Sequence, residues 1–284
     1  MQERVYESTS ESRKRWALDF YNVFVAPLLI PFRYRELLLV ILRRELTVRF
    51  VNSLFGQAWA VMAPLVMLGI YMATFSAAFA QAAGFQAPDA LSVFAGLIVF
   101  NLAMEILGRG PLLMHEHLAF IKRSLFPSAL LGWIAVLRAL VYAGVASAVL
   151  VVALLLFRHA VPLTALFLPF IIVPLTLFLV GLALGLAAIG AFTRDLAYLV
   201  VSFSPILIFV TPVFYTVQQL PANVRMLAYL NPLTPVVEMV RDTMVFGLMP
   251  SPWLYGVSAL GALLVFAGGN VIFSRYKDVL VDVI

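Results

Sequence analysis

Twenty-four consecutive residues, Gln57 to Ala80, carry no charge. As a helix rising about 1.5 Å per residue they would extend about 36 Å, enough to cross a hydrocarbon core of about 30 Å. The residues just before them cannot cross. Arg43, Arg44, Glu45 and Arg49 crowd a stretch in which Leu38, Leu42 and Leu46 recur at helical spacing. This predicts an amphipathic helix over 33–54 lying on the cytoplasmic membrane surface, its arginines at lipid phosphates and its leucines in the acyl boundary. The chain then turns at 52–56 and dives in as the first span. Glu45 and Arg49 stand four apart, in the favourable order for an ion pair along that helix.

Composition extends the reading to the whole chain. Of 284 residues, 63% are hydrophobic and 12% charged, where soluble domains average about 25% charged; mean hydropathy is +1.03. There is room for about six spanning helices and no sizeable soluble domain. The absence of cysteine excludes disulfides and thiolate metal sites. Residues 1–20 are polar and mixed in sign, which predicts a cytoplasmic tail; with no apolar core there, the first span is expected to serve as the insertion signal. Tyr21–Phe32 is apolar but short, and Pro27 and Pro31 mark it as interfacial.

The expected fold is all-α and integral to the membrane. It has six transmembrane helices, an N-terminal amphipathic interfacial helix, and a short outside-facing re-entrant helical hairpin between spans five and six. The spans fall at about 57–80, 91–108, 128–157, 170–192, 196–217 and 253–273; residues 1–32 form tail and interfacial segment, and 33–284 the transmembrane domain. Residues 162–193 carry no charge, more than one crossing needs, so Pro162, Pro169 and Pro174 are expected to break the run. Pro205 and Pro212 interrupt the fifth span. The hairpin, 218–252, is half polar and holds Pro221, Pro232 and Pro235. Non-helical backbone at membrane depth survives only when buried in protein or lining a cavity, so it must pack on the bundle. Residues 274–284 are left as an inner tail. Lys and Arg number nine in 1–56, three in 109–127, one at Arg194 and two at Arg275 and Lys277, against Arg158, Arg225 and Arg241 on the other face. Both termini are therefore predicted to be cytoplasmic.

Catalytic patterns are missing. No G-x-x-x-x-G-K-[ST] phosphate loop, H-E-x-x-H or G-x-S-x-G occurs. His115 and His117 lie two apart, on opposite sides of a helix, and read with His159 as solvated loop residues; no metal site is expected. Carboxylates are scattered: Glu105 in a span, Asp89, Glu238 and Asp242 outside. Glu105 and Arg138 would be costly facing lipid. Either they pair or snorkel, or Arg138 faces a polar pathway and meets an anionic substrate. The aromatics Phe203, Phe209, Phe214 and Tyr215 on the fifth span, with Trp59, Tyr71 and Phe75 on the first, are either lipid-facing belt residues or the lining of a conduit suited to a glycan.

Several segments together resemble the permease subunit of type-2 ABC exporters, closest to the group that exports O-antigen, capsular polysaccharide or teichoic acid. They are R-R-E-L-T-V-R-F-x-x-S-L-F-G-Q-A-W-A-x-x-x-P-L at 43–65, F-I-K-R-S-L-F-P at 120–127, R-D-L at 194–196, P-V-F-Y at 212–215, L-N-P-L-T-P at 230–235, and R-D-x-x-x-x-G-x-x-P from Arg241 to Pro250. The likeness covers about 33–275.

The resemblance implies a homodimer in the bacterial inner membrane. Each copy would pair with a separate cytoplasmic ABC ATPase, two copies in all, which holds ATP and magnesium; this chain itself would carry no cofactor, do no catalysis and bind no nucleic acid. His115, Glu116, His117, Phe120, Lys122, Arg123 and Phe126 would form the main element coupling to the ATPase, and Arg194 and Asp195 the minor one. Arg43, Arg44 and Arg49 would lie beside the portal for a lipid-linked glycan, where an arginine fork suits a diphosphate, or else bind ordinary headgroups among the membrane lipids. Trp59, Tyr71, Phe75, Phe203, Phe209, Phe214, Tyr215 and Arg138 would line the path between the two copies. An exporter of a drug or lipo-oligosaccharide is the alternative within the superfamily; a membrane-embedded glycan-modifying acyltransferase is the alternative outside it, and a passive channel lacks polar rings.

Overall fold

The structure, a computed structural model, describes residues 21–51, 53–75, 89–121, 126–193 and 195–283. Ten helices organise them: α1 (Ala26–Arg33), α2 (Arg35–Val48), α3 (Trp59–Ala73), α4 (Ala90–Arg109), α5 (Leu130–Arg158), α6 (Leu168–Gly190), α7 (Asp195–Val210), α8 (Ala222–Ala228), α9 (Thr234–Arg241) and α10 (Pro252–Val283). Short helical turns supplement them, and no strand occurs among the described residues.

Five helical segments are long and apolar enough to cross a membrane: Gly56–Ala73, Ala90–Glu116, Leu130–Arg158, Leu163–Gly190 and Pro252–Tyr276. They fall on five of the six expected spans, although residues 76–80 of the first lie outside the described residues. The remaining expected span, 196–217, is represented by α7, which has 16 residues and is about 24 Å long. Its hydrogen bonding ends with Thr211 N–H on the Leu207 carbonyl. The next residue, Pro212, has no N–H to continue the ladder and disfavours helical geometry in the residue before it.

Helix α2 corrects the expected surface helix. A break at Tyr34 (φ −111°, ψ 33°) separates it from α1, and it ends at Val48 rather than reaching residue 54. Its buried residues are Leu38 and Ile41, with Leu42 packed against the same core. The stripe 38, 41, 42, 45 is one helical face, and it lies on protein, chiefly α5, rather than on the acyl boundary. Trp133 of α5 secures the preceding turn, its indole N–H donating to the Pro27 carbonyl at 3.0 Å. The turn into α3 depends on Gly56, whose φ of +51° lies in the left-handed region, where a Cβ is disfavoured.

Helix α4 is the most enclosed span. Asp89 caps it, its carboxylate accepting from the Ser92 N–H at 3.2 Å. Helix α6 begins with Pro169 in its first turn, where a missing N–H costs nothing. Pro174 does not break it, contrary to expectation. The residue is buried inside a continuous helix, where neighbouring helices can tolerate a lost hydrogen bond. The most extensive helix pairing is α6 with α10. It depends on glycine, because a Cβ at Gly181 would overlap the Phe266 backbone and one at Gly269 the Gly181 backbone. This is the small-residue contact that packs helices in lipid. Helix α10 continues to Val283, so the expected inner tail after Phe273 is a helical extension. No glycine or proline follows Gly269 to stop it.

Candidate functional site

At one end of the bundle, α2, α4, α5 and the turn after α4 bring seven ionisable side chains together. Arg138 of α5 donates to Glu105 of α4 at 2.6 Å and to Glu45 of α2 at 3.4 Å. Arg109, at the end of α4, places both terminal nitrogens 3.1 Å from one oxygen of Glu45 and also binds Glu116. Arg49 reaches Glu105 at 3.1 Å and lies 4.3 Å from the Tyr142 ring centroid, a cation–π contact. His117 is buried, with Nδ1 3.0 Å from the Leu113 carbonyl and Nε2 3.3 Å from Glu45. The His117 hydrogen bond, helped by the Arg109 charge, draws the Glu45 carboxyl down to about 2, against the opposing effect of burial.

These contacts settle two sequence readings. Glu105 and Arg138 pair, while Arg138 also lines the cavity beside them. Glu45 and Arg49 do not pair along α2 among the described contacts; both reach across to α4, and Glu45 to α5 as well. Once α2 packs on the bundle, partners on α4 and α5 offer geometry that neighbours on an exposed helix face cannot match. Arg138 Nε remains buried with no hydrogen-bond partner among the described residues.

Below the cluster lies a cavity of about 1050 Å³ between α3 and the α4–α5 pair. Glu45, Arg49, Glu105, Arg109 and Arg138 line its charged part, and Trp59 flanks it from the start of α3. The remaining lining is mostly apolar. The arrangement is amphipathic: a charged rim above an oily cleft.

At the opposite end, residues 211–246 are pinned to α4. Arg241 is buried and donates through Nε to the Ser92 carbonyl at 3.0 Å, through Nη1 to the Tyr215 carbonyl at 2.9 Å, and through Nη2 to the Val213 carbonyl. Burial pulls its guanidinium down to about 10, which leaves it cationic at neutral pH. Glu238, one turn earlier, accepts from the Tyr229 hydroxyl at 2.7 Å and from the Val217 N–H at 3.3 Å. Burial and then the Glu238 contact raise the Tyr229 hydroxyl, and burial raises the Asp242 carboxyl. Arg158 ties the end of α5 to Asp89 at 2.7 Å and to the Val245 carbonyl at 3.0 Å.

The predicted aromatic set divides. Tyr71 stacks on Phe75 at 6.1 Å between centroids and meets Phe214 at 6.2 Å, and Phe214 meets Phe209 at 6.1 Å. Tyr215 donates its hydroxyl to the Phe209 carbonyl at 2.9 Å. Tyr71, Phe75 and Phe214 pack against a small cluster of Val93, Leu97, Phe100 and Val213, whereas Phe209 is exposed. Phe203 is exposed on α7, and Trp59 stands apart at the cavity, edge-on to Phe55 at 5.8 Å.

The predicted coupling residues also divide. His117 is not the solvated loop residue expected of it, because its ring is buried against Glu45 of α2. Glu116 faces Arg109, and Phe120 packs on Phe126 at 5.7 Å, with the Arg44 guanidinium 5.5 Å from the Phe120 centroid. Asp195 opens α7, its N–H bonded to the Thr193 hydroxyl at 3.3 Å. Lys122, Arg123 and Arg194 lie outside the described residues. Arg43 and Arg44 are exposed. Sequence reasoning missed Arg109, Tyr142, Glu238 and Arg241. The signal for the last two was present: charges three apart inside a short helix of otherwise apolar residues.

The family described as ABC-2 type transporter matches residues 36–245. The chain is 23% identical over 252 residues to the O-antigen export system permease protein RfbA of Myxococcus xanthus, covering 87% of this chain and 95% of that protein. It is 22% identical over 244 residues to a protein of the same name from Klebsiella pneumoniae, covering 85% and 92% respectively. A multi-pass membrane protein follows from the apolar helices and this match together.

Proposed function

This chain belongs to the ABC-2 type transporter family, and on that premise we propose that it is the permease of an ATP-driven exporter of a lipid-linked polysaccharide across the bacterial inner membrane. The observation that carries the substrate class is coverage. Relatives named for O-antigen export align over nine-tenths of their own length, so likeness extends over the permease as a whole and not over one motif.

Two copies would form the pore, with both termini in the cytoplasm, residues 1–32 as tail and interfacial segment, and 33–284 as the transmembrane domain. Much of the apolar surface of α3 and α7 is exposed, including Val66, Ile70, Val201 and Ile206, and suits a second copy. The hairpin at 218–250 would close the outer mouth, re-entering the bundle through α9. A separate ATPase would dock at the turn containing Glu116, Phe120, Lys122, Arg123 and Phe126 and, secondarily, at Arg194 and Asp195. Arg43 and Arg44, exposed on α2, would meet the diphosphate of the carrier lipid. His117 would transmit ATPase movement to α2 through Glu45.

The test is genetic and chemical. Deleting the gene in its native host should remove the surface glycan and build up lipid-linked glycan inside. The wild-type chain should restore export, and Lys122→Glu with Arg123→Glu should insert normally yet fail to restore it. Intact surface glycan in the deletion strain would reject the substrate class.

A further inference from the structure

We propose that the cleft between α3 and the α4–α5 pair seats one acyl chain of an anionic phospholipid, with the lipid phosphate at Arg49. The inference does not depend on what the permease exports.

Alanines make most of the two facing walls of the cleft. Ala60, Ala63 and Met67 on α3 face Ala139, Ala143 and Ala146 on α5 across it. Spacings of three, four and seven put each set on one helix face. Leu68 is the one buried residue of α3, so that helix is held away from its neighbours along a volume of about 1050 Å³. This is at the upper end of small-molecule sites, about 300–1,000 Å³.

Depth selects the occupant. The charged rim sits at Arg138 and Glu105, and the lining runs to Ala146 on α5 and to Phe94 on α4. At about 1.5 Å per residue these paths are about 12 and 16 Å long, near half of a hydrocarbon core of about 30 Å. A single acyl chain descending from a phosphate at Arg49 past Glu105 and Arg138 towards the bilayer midplane fits such a cleft. Charge selects the head. The lining holds Arg49, Arg109 and Arg138 against Glu45 and Glu105, three cations to two anions. Arg49 is the more exposed side chain of its pair with Glu105, at 41% against 17%. It shares that carboxylate with Arg138, and most of its five N–H donors remain for a phosphate. Arg138, 6% exposed, adds a second cation at the rim and a buried Nε with no partner among the described residues.

The experiment uses the full chain in vesicles containing phosphatidylglycerol with a photoreactive group midway along one acyl chain. Mass spectrometry then maps the adducts. Adducts are expected on residues 60–67 and 139–146. A phosphatidylcholine probe with the same tail should label these segments about tenfold less, the size of a charge-assisted hydrogen bond. Arg49→Gln should bring phosphatidylglycerol labelling down to the phosphatidylcholine level. Ala63→Phe should abolish labelling of the cleft; Ala143→Leu, on the other wall, reads the same quantity should the first variant fail to fold. Equal labelling by both lipids, or undiminished labelling in the blocked variants, overturns the proposal. So does loss of phosphatidylglycerol adducts on adding an equimolar polyprenyl phosphate, which would give the cleft to a carrier lipid.

Discussion

Glu45 shows how one side chain can organise an end of this protein. Arg109, Arg138 and His117 all converge on its two oxygens. Its depressed pKa means that the folded state favours the carboxylate. That stabilisation is present above the ordinary value of 4.5 and is lost as pH falls towards about 2. Thermal unfolding of the purified protein in detergent should therefore move to lower temperature across that window, and Glu45→Gln should flatten the dependence. An unchanged slope in the variant would show that other carboxylates dominate. Arg241 is the counterpart at the other end. Arg241→Met leaves the Ser92, Val213 and Tyr215 carbonyls without their donor, at a cost of about 1 kcal/mol or more each. Limited proteolysis should then cut within 211–233 faster than in the wild type. That Glu105 and Arg138 would avoid lipid was legible, because charges facing lipid are costly; that they pair was left open and was decided by the packing of α4 on α5. The identity of Glu45's partners was not legible, since they lie 64, 72 and 93 positions away in sequence.

Among the elements, hydrophobic length located the spans and proline located several of their ends. Proline misled twice, at Pro174 and at Pro205, which was expected to interrupt the fifth span but lies inside the continuous α7, because its effect depends on whether neighbours accommodate the lost hydrogen bond. Amphipathicity also misled at α2, where an apolar stripe suited to lipid packs on α5 instead. Periodicity reports that a face is oily, not what covers it. The α6–α10 contact makes a sharper claim. Gly181→Leu should drive a side chain into the Phe266 backbone, costing about 1–3 kcal/mol or more. Gly256→Ala, in a position where a Cβ meets nothing within 4 Å, should be harmless. Thermostability of the two variants in detergent checks the pair, and equal stability would refute the close contact.

For the molecule as a whole, the two ends have different work. One concentrates charges around α2 and the turn after α4. The other gathers Tyr71, Phe75, Phe209, Phe214 and Tyr215 beside the Arg241-anchored segment. If these rings line a glycan path between two copies, alanine at Phe209, Phe214 and Tyr215 together should slow export several-fold at unchanged expression, measured as surface glycan appearing after induction; wild-type rates would remove the aromatic path. Sequence alone determined that the chain is helical, that it is a membrane protein and where most spans lie, because span length and apolar composition are local properties; the likeness to an exporter group was carried separately, by short motifs in a shared order. Tertiary structure decided which charges meet, which face of α2 is covered, which aromatics assemble and where a cleft remains. Each of those depends on helices far apart in sequence being packed side by side.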